Sequence, residues 1–386
     1  MDPLLVPSDP RLSWRVLFHH TRREIVKPLR YNKPTYSFFW ARNAIYNGVK
    51  ALGISAGDTI LVPAYHCAVV VEPILSCGAS VRFYDIRRDG FLNFDDLYAK
   101  IDNQTRAVVA IHYFGFPQPI QKLQKLCRAH DLYLIEDCAH VLRGEAEGSE
   151  LGTFGDISVF SWRKLLPLYD GGHLILNNPG LRADIALDNH SFFSSLKAVK
   201  NIFEKVINDS EIELLKLIQH IFLLPWVLTR RLLATKGGEQ KSLGIGNYGL
   251  DFNPVLANLR MTAASKFLLQ RLEINNIIES RRRNYLSLLE RIKSLPGITP
   301  LFPHLPEGVC PWVFPLLIDA RDNLHHELRA NGIPAVTWGG VIHPSLRVQE
   351  FPDADYLYRR LIMLPIHQSI DEPALKTMAE TLGRVL

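Results

Sequence analysis

The sequence lacks the features that mark secreted, metal-stabilised and nucleic-acid-binding proteins. Its five cysteines among 386 residues form no CxxC pair and no regular spacing, which argues against a zinc site or a disulfide framework. The net charge of +5 arises from 44 basic and 39 acidic residues that are interspersed, so no basic arm indicates a nucleic-acid partner. The N-terminus MDPLLVPSDPRLSW has an acid and prolines where a signal peptide needs basic residues and then an apolar run. We therefore predict a cytoplasmic protein.

One apolar run, residues 214–233, carries too many polar residues for a membrane-spanning helix. It contains Lys216, His220 and Pro225, whereas a span needs about 20 residues with few or no charges. Two interpretations remain open. The run forms a pair of helices packed on the body or on a partner subunit, or it forms an interfacial helix that gives peripheral membrane contact, with Trp226 at headgroup depth.

Helical and strand patterns alternate from residue 40 onward. Continuous apolar runs such as RAVVAIHYFG and LYLIED predict buried strands, and IQKLQKLCRAHD repeats apolar residues at steps of three and four, as an amphipathic helix does. Buried strands that alternate with helices form a mostly parallel sheet covered on both faces. The pattern therefore predicts an α/β fold.

The length and one break in the pattern predict two domains. A chain of 386 residues exceeds the size at which single cores stop growing. We assign residues 1–250 to a large domain with a helical insertion at about 185–240. After the glycine-rich TKGGEQKSLGIGNYG, a long helix around ASKFLLQRLEINNIIESRRRNYLSLLERIKSL links to a smaller C-terminal α/β domain within residues 251–386.

Polar side chains follow several apolar runs, at the strand ends where open α/β sheets bind ligands. Each of them taken singly has an ordinary explanation as a helix cap, a core histidine, a turn residue or an exposed amine. The candidates are Arg42 and Asn43 at a helix start, Tyr65, His66 and Cys67 after DTILVPA, Asp137 and His140 around LYLIED, and Ser161 and Lys164 after ISVF.

Together these side chains supply the parts that hold pyridoxal phosphate. A lysine forms the imine, and a carboxylate such as Asp137 keeps the pyridine nitrogen protonated so that the ring accepts electrons. Ser161 and the helix start near Arg42 offer a hydroxyl, backbone N–H donors and a positive charge to the phosphate. Lys164 is the only lysine in residues 126–196, so it is the candidate amine.

In order and spacing, the motifs resemble the DegT/DnrJ/StrS family of pyridoxal-phosphate-dependent sugar aminotransferases. The stretches that carry the resemblance include LYLIEDCAHVLRGEAEGSELGTFGDISVFSW, DGGHLILNN and NLRMTAASKFLLQRLE. The resemblance implies fold type I, with a seven-stranded sheet and a smaller C-terminal domain. It also implies transfer of an amino group from an amino acid, with L-glutamate expected, to a keto group of a nucleotide-linked sugar in polysaccharide biosynthesis.

The resemblance also implies a role for individual residues. It places Asp137 on the pyridine nitrogen, His140 beside the ring near its hydroxyl, Ser161 on the phosphate and Lys164 on the cofactor aldehyde. The family's active site lies at a homodimer interface. Asn258 of NLRM matches an asparagine that reaches the phosphate bound by the neighbouring subunit.

The chain departs from the family pattern at the cofactor's phosphate and ring. Ala41 and Arg42 stand where the family has a glycine-threonine pair, so we expect Arg42 to compensate with its charge. The ring-stacking aromatic falls on Cys67, so we expect Tyr65 or His66 to cover the ring instead.

The lysine loop is also shorter than in the family. Only Trp162 and Arg163 separate Ser161 from Lys164, where the family usually has four residues. Two other interpretations therefore stay open. One is a different pyridoxal-phosphate reaction on a sugar, such as dehydration, which the lysine disfavours because the related dehydratases carry histidine there. The other is a catalytically altered or non-catalytic relative that binds or regulates.

Overall fold

The computed structural model describes residues 6–18, 33–210, 252–319, 324–338 and 341–386. The apolar run 214–233, most of the predicted insertion and the proposed boundary at residue 250 lie outside these ranges. The two interpretations of that run and the division into residues 1–250 and 251–386 therefore stay predictions. None of the helices in the described ranges is long and apolar enough to cross a membrane. All five cysteines are unpaired.

A seven-stranded sheet forms the larger part of the molecule. In spatial order the strands run β1, β9, β8, β5, β4, β2, β3. Only β9 runs antiparallel to its neighbours, and the other pairings within β8, β5, β4, β2 and β3 are parallel. The predicted α/β fold with a mostly parallel seven-stranded sheet is confirmed. The strands are β1 (Thr35–Phe38), β2 (Thr59–Pro63), β3 (Ser80–Tyr84), β4 (Thr105–Ile111), β5 (Tyr133–Cys138), β8 (Ile157–Ser161) and β9 (Gly172–Leu176).

The central strands are buried on both faces, which explains their unbroken apolar sequences. All residues of β2, β8 and β9 are buried, as expected for the strands of a mostly parallel sheet that helices cover on both sides. A short hairpin of β6 (Glu145–Ala146) and β7 (Ser149–Glu150) connects β5 to β8.

Six α-helices belong to this part of the chain within the described ranges. They are α1 (Arg15–Phe18), α2 (Ala41–Ala51), α3 (Val71–Leu75), α4 (Phe94–Ala99), α5 (Ile120–Ala129) and α6 (Phe192–Asn208).

Two glycines set the position of α2 against the sheet. A Cβ at Gly48 would lie 2.5 Å from Cδ1 of Ile157 on β8, so the helix approaches that strand closely. A Cβ at Gly172 would collide with the Trp40 carbonyl and the Ala41 nitrogen. Because both positions lack a side chain, the start of α2 lies directly over the beginning of β9.

A four-stranded antiparallel sheet lies in the C-terminal part of the chain, as predicted for a smaller α/β unit. Its spatial order is β10, β11, β13, β12. The strands are β10 (Ile298–Pro300), β11 (Val313–Ile318), β12 (Val336–Thr337) and β13 (Leu361–Pro365). The accompanying helices are α9 (Leu324–Ala330), α10 (Pro352–Arg360) and α11 (Glu372–Val385).

The prediction of one long linking helix is wrong, because two helices occupy that stretch. They are α7 (Ala263–Leu269) and α8 (Ile274–Ile292). Leu272 and Ile274 are both buried although they are only two residues apart. A continuous helix would place positions that differ by two on different faces. The chain therefore turns at 270–273 to return both side chains to the core.

Candidate active site

A pocket lies beyond the carboxyl ends of β4, β5 and β8, the expected place for a ligand in an open α/β sheet. The strand ends contribute Ile111, Asp137 and Ser161, and the start of α2 closes one side. The full lining is Trp40, Ala41, Arg42, Ile45, Cys67, Val69, Val70, Ile111, Asp137, Ala139, His140, Val159, Ser161, Arg163, Lys164 and Trp338.

Lys164 enters the pocket from a single 3₁₀ turn, Trp162–Lys164, that directly follows β8. Its Nζ lies 2.9 Å from Nε2 of His140. Burial lowers the pKa of Lys164 below its ordinary value, the nearby Cys67 and Asp137 act to raise it, and the Arg163 charge acts to lower it. The amine is thus more readily deprotonated than an exposed lysine, as a nucleophile requires.

The contacts of His140 fix which of its ring nitrogens carries the proton. The backbone N–H of Phe114 donates to Nδ1 at 3.2 Å, so Nδ1 is an acceptor. Burial, and then the charge of Lys164, lower the pKa of His140 well below its ordinary value, so the ring is neutral. A neutral imidazole that accepts at Nδ1 carries its proton on Nε2. Nε2 is therefore a donor to the lone pair of the Lys164 amine once that amine has lost its proton.

Phe114 holds an uncommon backbone conformation to make this contact. Its φ is 57°, in the left-handed region that a non-glycine residue rarely occupies. Such strain persists where surrounding structure imposes it, and it is common at functional sites. The Phe114 ring also stacks parallel to His140 at 6.0 Å.

Adjacent carboxylates at the end of β5 point to opposite faces of the sheet. Asp137 lines the pocket, and its Oδ1 accepts the backbone N–H of Ala139 at 2.8 Å. Burial raises the pKa of Asp137, while the positive charge of Lys164 opposes that rise. The carboxylate is therefore poised to gain from a cationic ligand group.

Glu136, on the other face, is a structural residue. Its carboxylate accepts a hydrogen bond from Nε2 of His112 at 3.0 Å and from the N–H groups of Phe154 and Gly155, both at 2.9 Å. Burial raises the pKa of Glu136, but the hydrogen bonds and charge of His112 and the loop N–H donors outweigh burial and leave it below its ordinary value. This explains the glycines of the GTFGD motif, whose backbone must approach the carboxylate.

Two arginines line the pocket beside the start of α2. The Arg42 guanidinium lies 5.2 Å from the centroid of the Trp40 ring, at the N-terminus of α2. Burial and then the charge of Arg163 lower the pKa of Arg42. Two guanidinium groups and a helix N-terminus on one pocket wall, with Ser161 at the adjoining strand end, favour an anion.

Seven of the predicted site residues line the pocket together. They are Ala41, Arg42, Cys67, Asp137, His140, Ser161 and Lys164.

The other four predicted residues lie outside the pocket lining. Asn43 donates its side-chain amide to the carbonyl of Leu256 at 2.8 Å. Tyr65 is 1% exposed and packs edge-on against Trp338. Their predicted cofactor contacts stay predictions.

His66 and Asn258 are held by contacts of their own. His66 stacks on Phe83 at 5.2 Å, and its Nδ1 lies 2.9 Å from the carbonyl of Pro63. The Asn258 carbonyl accepts from the N–H of Asp188, and its predicted role concerns a neighbouring subunit.

Local sequence patterns do not reveal several residues that shape the site. Trp338 lines the pocket from the C-terminal part, next to β12, and meets His140 edge-on at 5.4 Å. Trp312 stacks on His140 at 4.2 Å, also from a distant part of the chain. Arg163 is adjacent to Lys164 in the sequence, but only the structure shows that it lines the same pocket as Arg42.

Comparisons with known proteins agree with this fold. Residues 41–213 match the model of the DegT/DnrJ/EryC1/StrS aminotransferase family. The chain is 37% identical over 148 residues to GDP-perosamine synthase of Vibrio cholerae, a match that spans 38% of this chain and 39% of that relative. It is 26% identical to the dTDP-4-dehydro-2,3,6-trideoxy-D-glucose 4-aminotransferase of Saccharopolyspora spinosa, over 89% of this chain and 82% of the relative.

A solved structure shows the same fold. The aminotransferase PseC of Helicobacter pylori, involved in the biosynthesis of pseudoaminic acid, superposes with a TM-score of 0.68 at 19% identity, over 98% of each chain. The resemblance stated from the motifs agrees with the family model: residues 41–213 of the chain are similar to the DegT/DnrJ/EryC1/StrS aminotransferase family.

Proposed function

We propose that this protein is a pyridoxal-phosphate-dependent aminotransferase that moves an amino group from an amino acid to a keto group of a nucleotide-linked sugar. The observation that carries the proposal is the Lys164 amine, which lies 2.9 Å from Nε2 of His140 in the pocket that also contains Asp137. The names of the relatives support the substrate class, because they include a GDP-perosamine synthase and a dTDP-sugar 4-aminotransferase. L-glutamate is the proposed donor.

The donor set of the pocket fits pyridoxal phosphate. An amine of lowered pKa suits the aldehyde, and a buried carboxylate suits a protonated pyridine nitrogen. The cationic wall of Arg42, Arg163 and the α2 N-terminus suits the dianionic phosphate. Ser161 adds a hydroxyl on the same wall.

Bound pyridoxal phosphate supplies an electron sink that acidifies the α-hydrogen of the amino acid. The residues of the chain supply the rest. Asp137 keeps the ring nitrogen protonated through its negative charge. The Nζ amine of Lys164 would act as the general base that takes the proton from the α-carbon of the amino acid, and then as the acid that gives that proton back. Trp338 and Trp312 cover His140 and exclude water from the amine.

The proposal includes a homodimer in which Asn258 completes the phosphate site of the neighbouring subunit. The segment that contains Asn258 is fixed by backbone contacts to two other parts of the chain. Leu259 and Arg260 form isolated bridges with Asp188 and Phe38, respectively. Such a segment can present one side chain across an interface without a large ordering cost.

A titration with the cofactor tests the proposal. Pyridoxal phosphate added to the purified protein should produce the visible absorption band of a lysine-bound cofactor, and Lys164→Ala should abolish that band. Lys125→Ala, on the exposed side of α5, is the matched control and should keep it. The loaded protein should then consume L-glutamate and aminate one member of a panel of keto-sugar nucleotides.

Absence of the band in the wild-type protein would overturn the enzymatic proposal and favour the non-catalytic relative. The altered Cys67 position and the short lysine loop are the observations that keep this second candidate in view. A band without any amination of the sugar panel would instead point to a different reaction on the same cofactor.

A further inference from the structure

The short lysine loop is held from outside by a tryptophan and an arginine distant in sequence. Nε1 of Trp312 donates to the backbone carbonyl of Lys164 at 2.9 Å. One guanidinium nitrogen of Arg281 donates to the carbonyl of the next residue, Leu165, at 2.7 Å. Consecutive carbonyls of the loop are thus both fixed.

Trp312 and Arg281 are joined to each other as well as to the loop. A second guanidinium nitrogen of Arg281, on α8, donates to the Trp312 carbonyl at 2.7 Å. The backbone N–H of Trp312 donates to the carbonyl of Phe114 at 2.8 Å. Arg281 is 1% exposed, and burial lowers its pKa to about 10. A buried guanidinium is costly unless its hydrogen bonds are made, so these contacts are strongly constrained.

The Trp312 ring also contacts both Lys164 and His140. It stacks on His140 with centroids 4.2 Å apart, and the Nζ of Lys164 lies 5.2 Å from its centroid. Phe114, whose backbone N–H sets the His140 tautomer, stacks on both the Trp312 ring, at 6.3 Å, and the His140 ring, at 6.0 Å. The Trp312 indole therefore contacts the backbone carbonyl of Lys164, the Lys164 amine and the imidazole of His140.

We propose that Trp312 is a positioning residue for Lys164: its indole N–H fixes the Lys164 carbonyl and its ring fixes His140, so that the amine of the shortened loop meets Nε2. This inference rests on the proposed function for its catalytic meaning, since the positioned amine is the one that captures the cofactor. Arg281 supports the arrangement from α8 by holding Leu165 and Trp312 together.

A substitution that keeps a ring but removes the donor isolates this role. Trp312→Phe retains an aromatic face for His140 and deletes the N–H to the Lys164 carbonyl. Trp162→Phe is the matched control, because Trp162 is fully buried two residues from Lys164 but its Nε1 has no hydrogen-bond partner among the described residues. Thermal melts of both variants measure any general loss of folding.

The first readout needs no cofactor. Acetic anhydride labelling of the unloaded protein, quantified by peptide mass spectrometry across a pH series, reports the titration of the Lys164 amine. The groups that face the amine are Asp137 from β5, Cys67 after β2, His140 and Arg163. All four remain in both variants. We expect the Lys164 midpoint to move to higher pH in Trp312→Phe and to stay at the wild-type value in Trp162→Phe.

The second readout is the rate at which the visible band forms with pyridoxal phosphate. We expect about a 10-fold slower capture in Trp312→Phe, the factor that one lost neutral hydrogen bond supports. Equal titration and capture in Trp312→Phe and wild type would overturn the inference, as would an equal shift in Trp162→Phe. A titration shift in a protein that never captures the cofactor would support the positioning role and overturn the proposed function alone.

Discussion

Asp137 and Glu136 differ in role although they are adjacent carboxylates on one strand. The alternation of a strand turns one into the pocket and the other into the core, where loop N–H donors and His112 satisfy it. Burial disfavours the charged form of the Asp137 carboxylate and raises its pKa, and the positive charge of Lys164 opposes that rise. Its preference for a cationic partner is therefore the residue-scale basis of the proposed chemistry.

We predict that Asp137→Asn separates cofactor capture from catalysis. Asp137 acts to raise the pKa of Lys164, so its removal leaves the amine at least as nucleophilic, and the visible band should still form. An amide cannot balance a protonated pyridine nitrogen, so the reaction with L-glutamate should slow by about 100-fold. Stopped-flow absorbance measures both steps. Asp95→Asn, in the exposed first turn of α4, is the control, and a wild-type rate in Asp137→Asn would remove Asp137 from the proposed mechanism.

The site residues that could be predicted from the sequence are those that lie close to one another along the chain. Asp137, His140, Ser161 and Lys164 lie within 28 residues on β5, β8 and the turns that follow them, so strand-end reasoning brought them together. Trp338 and its neighbours enter from elements more than a hundred residues away, and no local pattern encodes that approach.

At the scale of elements, the start of α7 is an anchor for the lysine loop. Asp170, which begins the DGG segment before β9, is fully buried. It accepts hydrogen bonds from the Thr262 N–H at 3.0 Å, the Thr262 hydroxyl at 2.6 Å and the Ser265 hydroxyl at 2.9 Å. Thr262 also caps α7 by accepting the N–H of Ser265. One threonine thus ties α7 to the end of the lysine loop.

We predict that Thr262→Val destabilises the protein more than the loss of an ordinary cap. The change removes the cap, worth about 1 kcal/mol, and leaves a buried carboxylate short of a donor, which costs about 1–3 kcal/mol. Ser191→Ala removes the exposed cap of α6, whose hydroxyl contacts no carboxylate, and is the matched control. Urea unfolding followed by circular dichroism measures both, and equal losses in the two variants would mean that Asp170 draws no stability from Thr262.

The break between α7 and α8 shows why the sequence pattern predicted one helix. Both segments repeat apolar residues at helical steps, and neither glycine nor proline lies between them. The interruption appears only as a phase shift, with Leu272 and Ile274 both buried. Tertiary anchoring of Thr262 and Ser265 on Asp170 fixes the direction of α7, so packing rather than local propensity ends that helix.

At the scale of the whole molecule, the four residues predicted to bind but absent from the pocket lining divide into two kinds. Tyr65 and His66 are committed to their own core contacts with Trp338 and Phe83. Asn258 lies on a segment bridged to β1, close to the Asn43 contact with Leu256. The contacts of Tyr65 and His66 with the cofactor, and the role of Asn258 at the site of a neighbouring subunit, stay predictions.

Mixed dimers test whether Asn258 acts across an interface. We predict that Lys164→Ala and Asn258→Ala homodimers are each impaired, the first completely in band formation and the second in affinity for pyridoxal phosphate. When the two chains are co-expressed with different tags and the mixed dimer is purified, one of its two sites combines Lys164 of one chain with Asn258 of the other. That site is intact only if Asn258 acts in trans, so half of the wild-type band should return at wild-type affinity. If Asn258 acts within its own chain, the chain that keeps Lys164 lacks Asn258, and the chain that keeps Asn258 lacks Lys164. The mixed dimer should then bind pyridoxal phosphate as weakly as the Asn258→Ala homodimer.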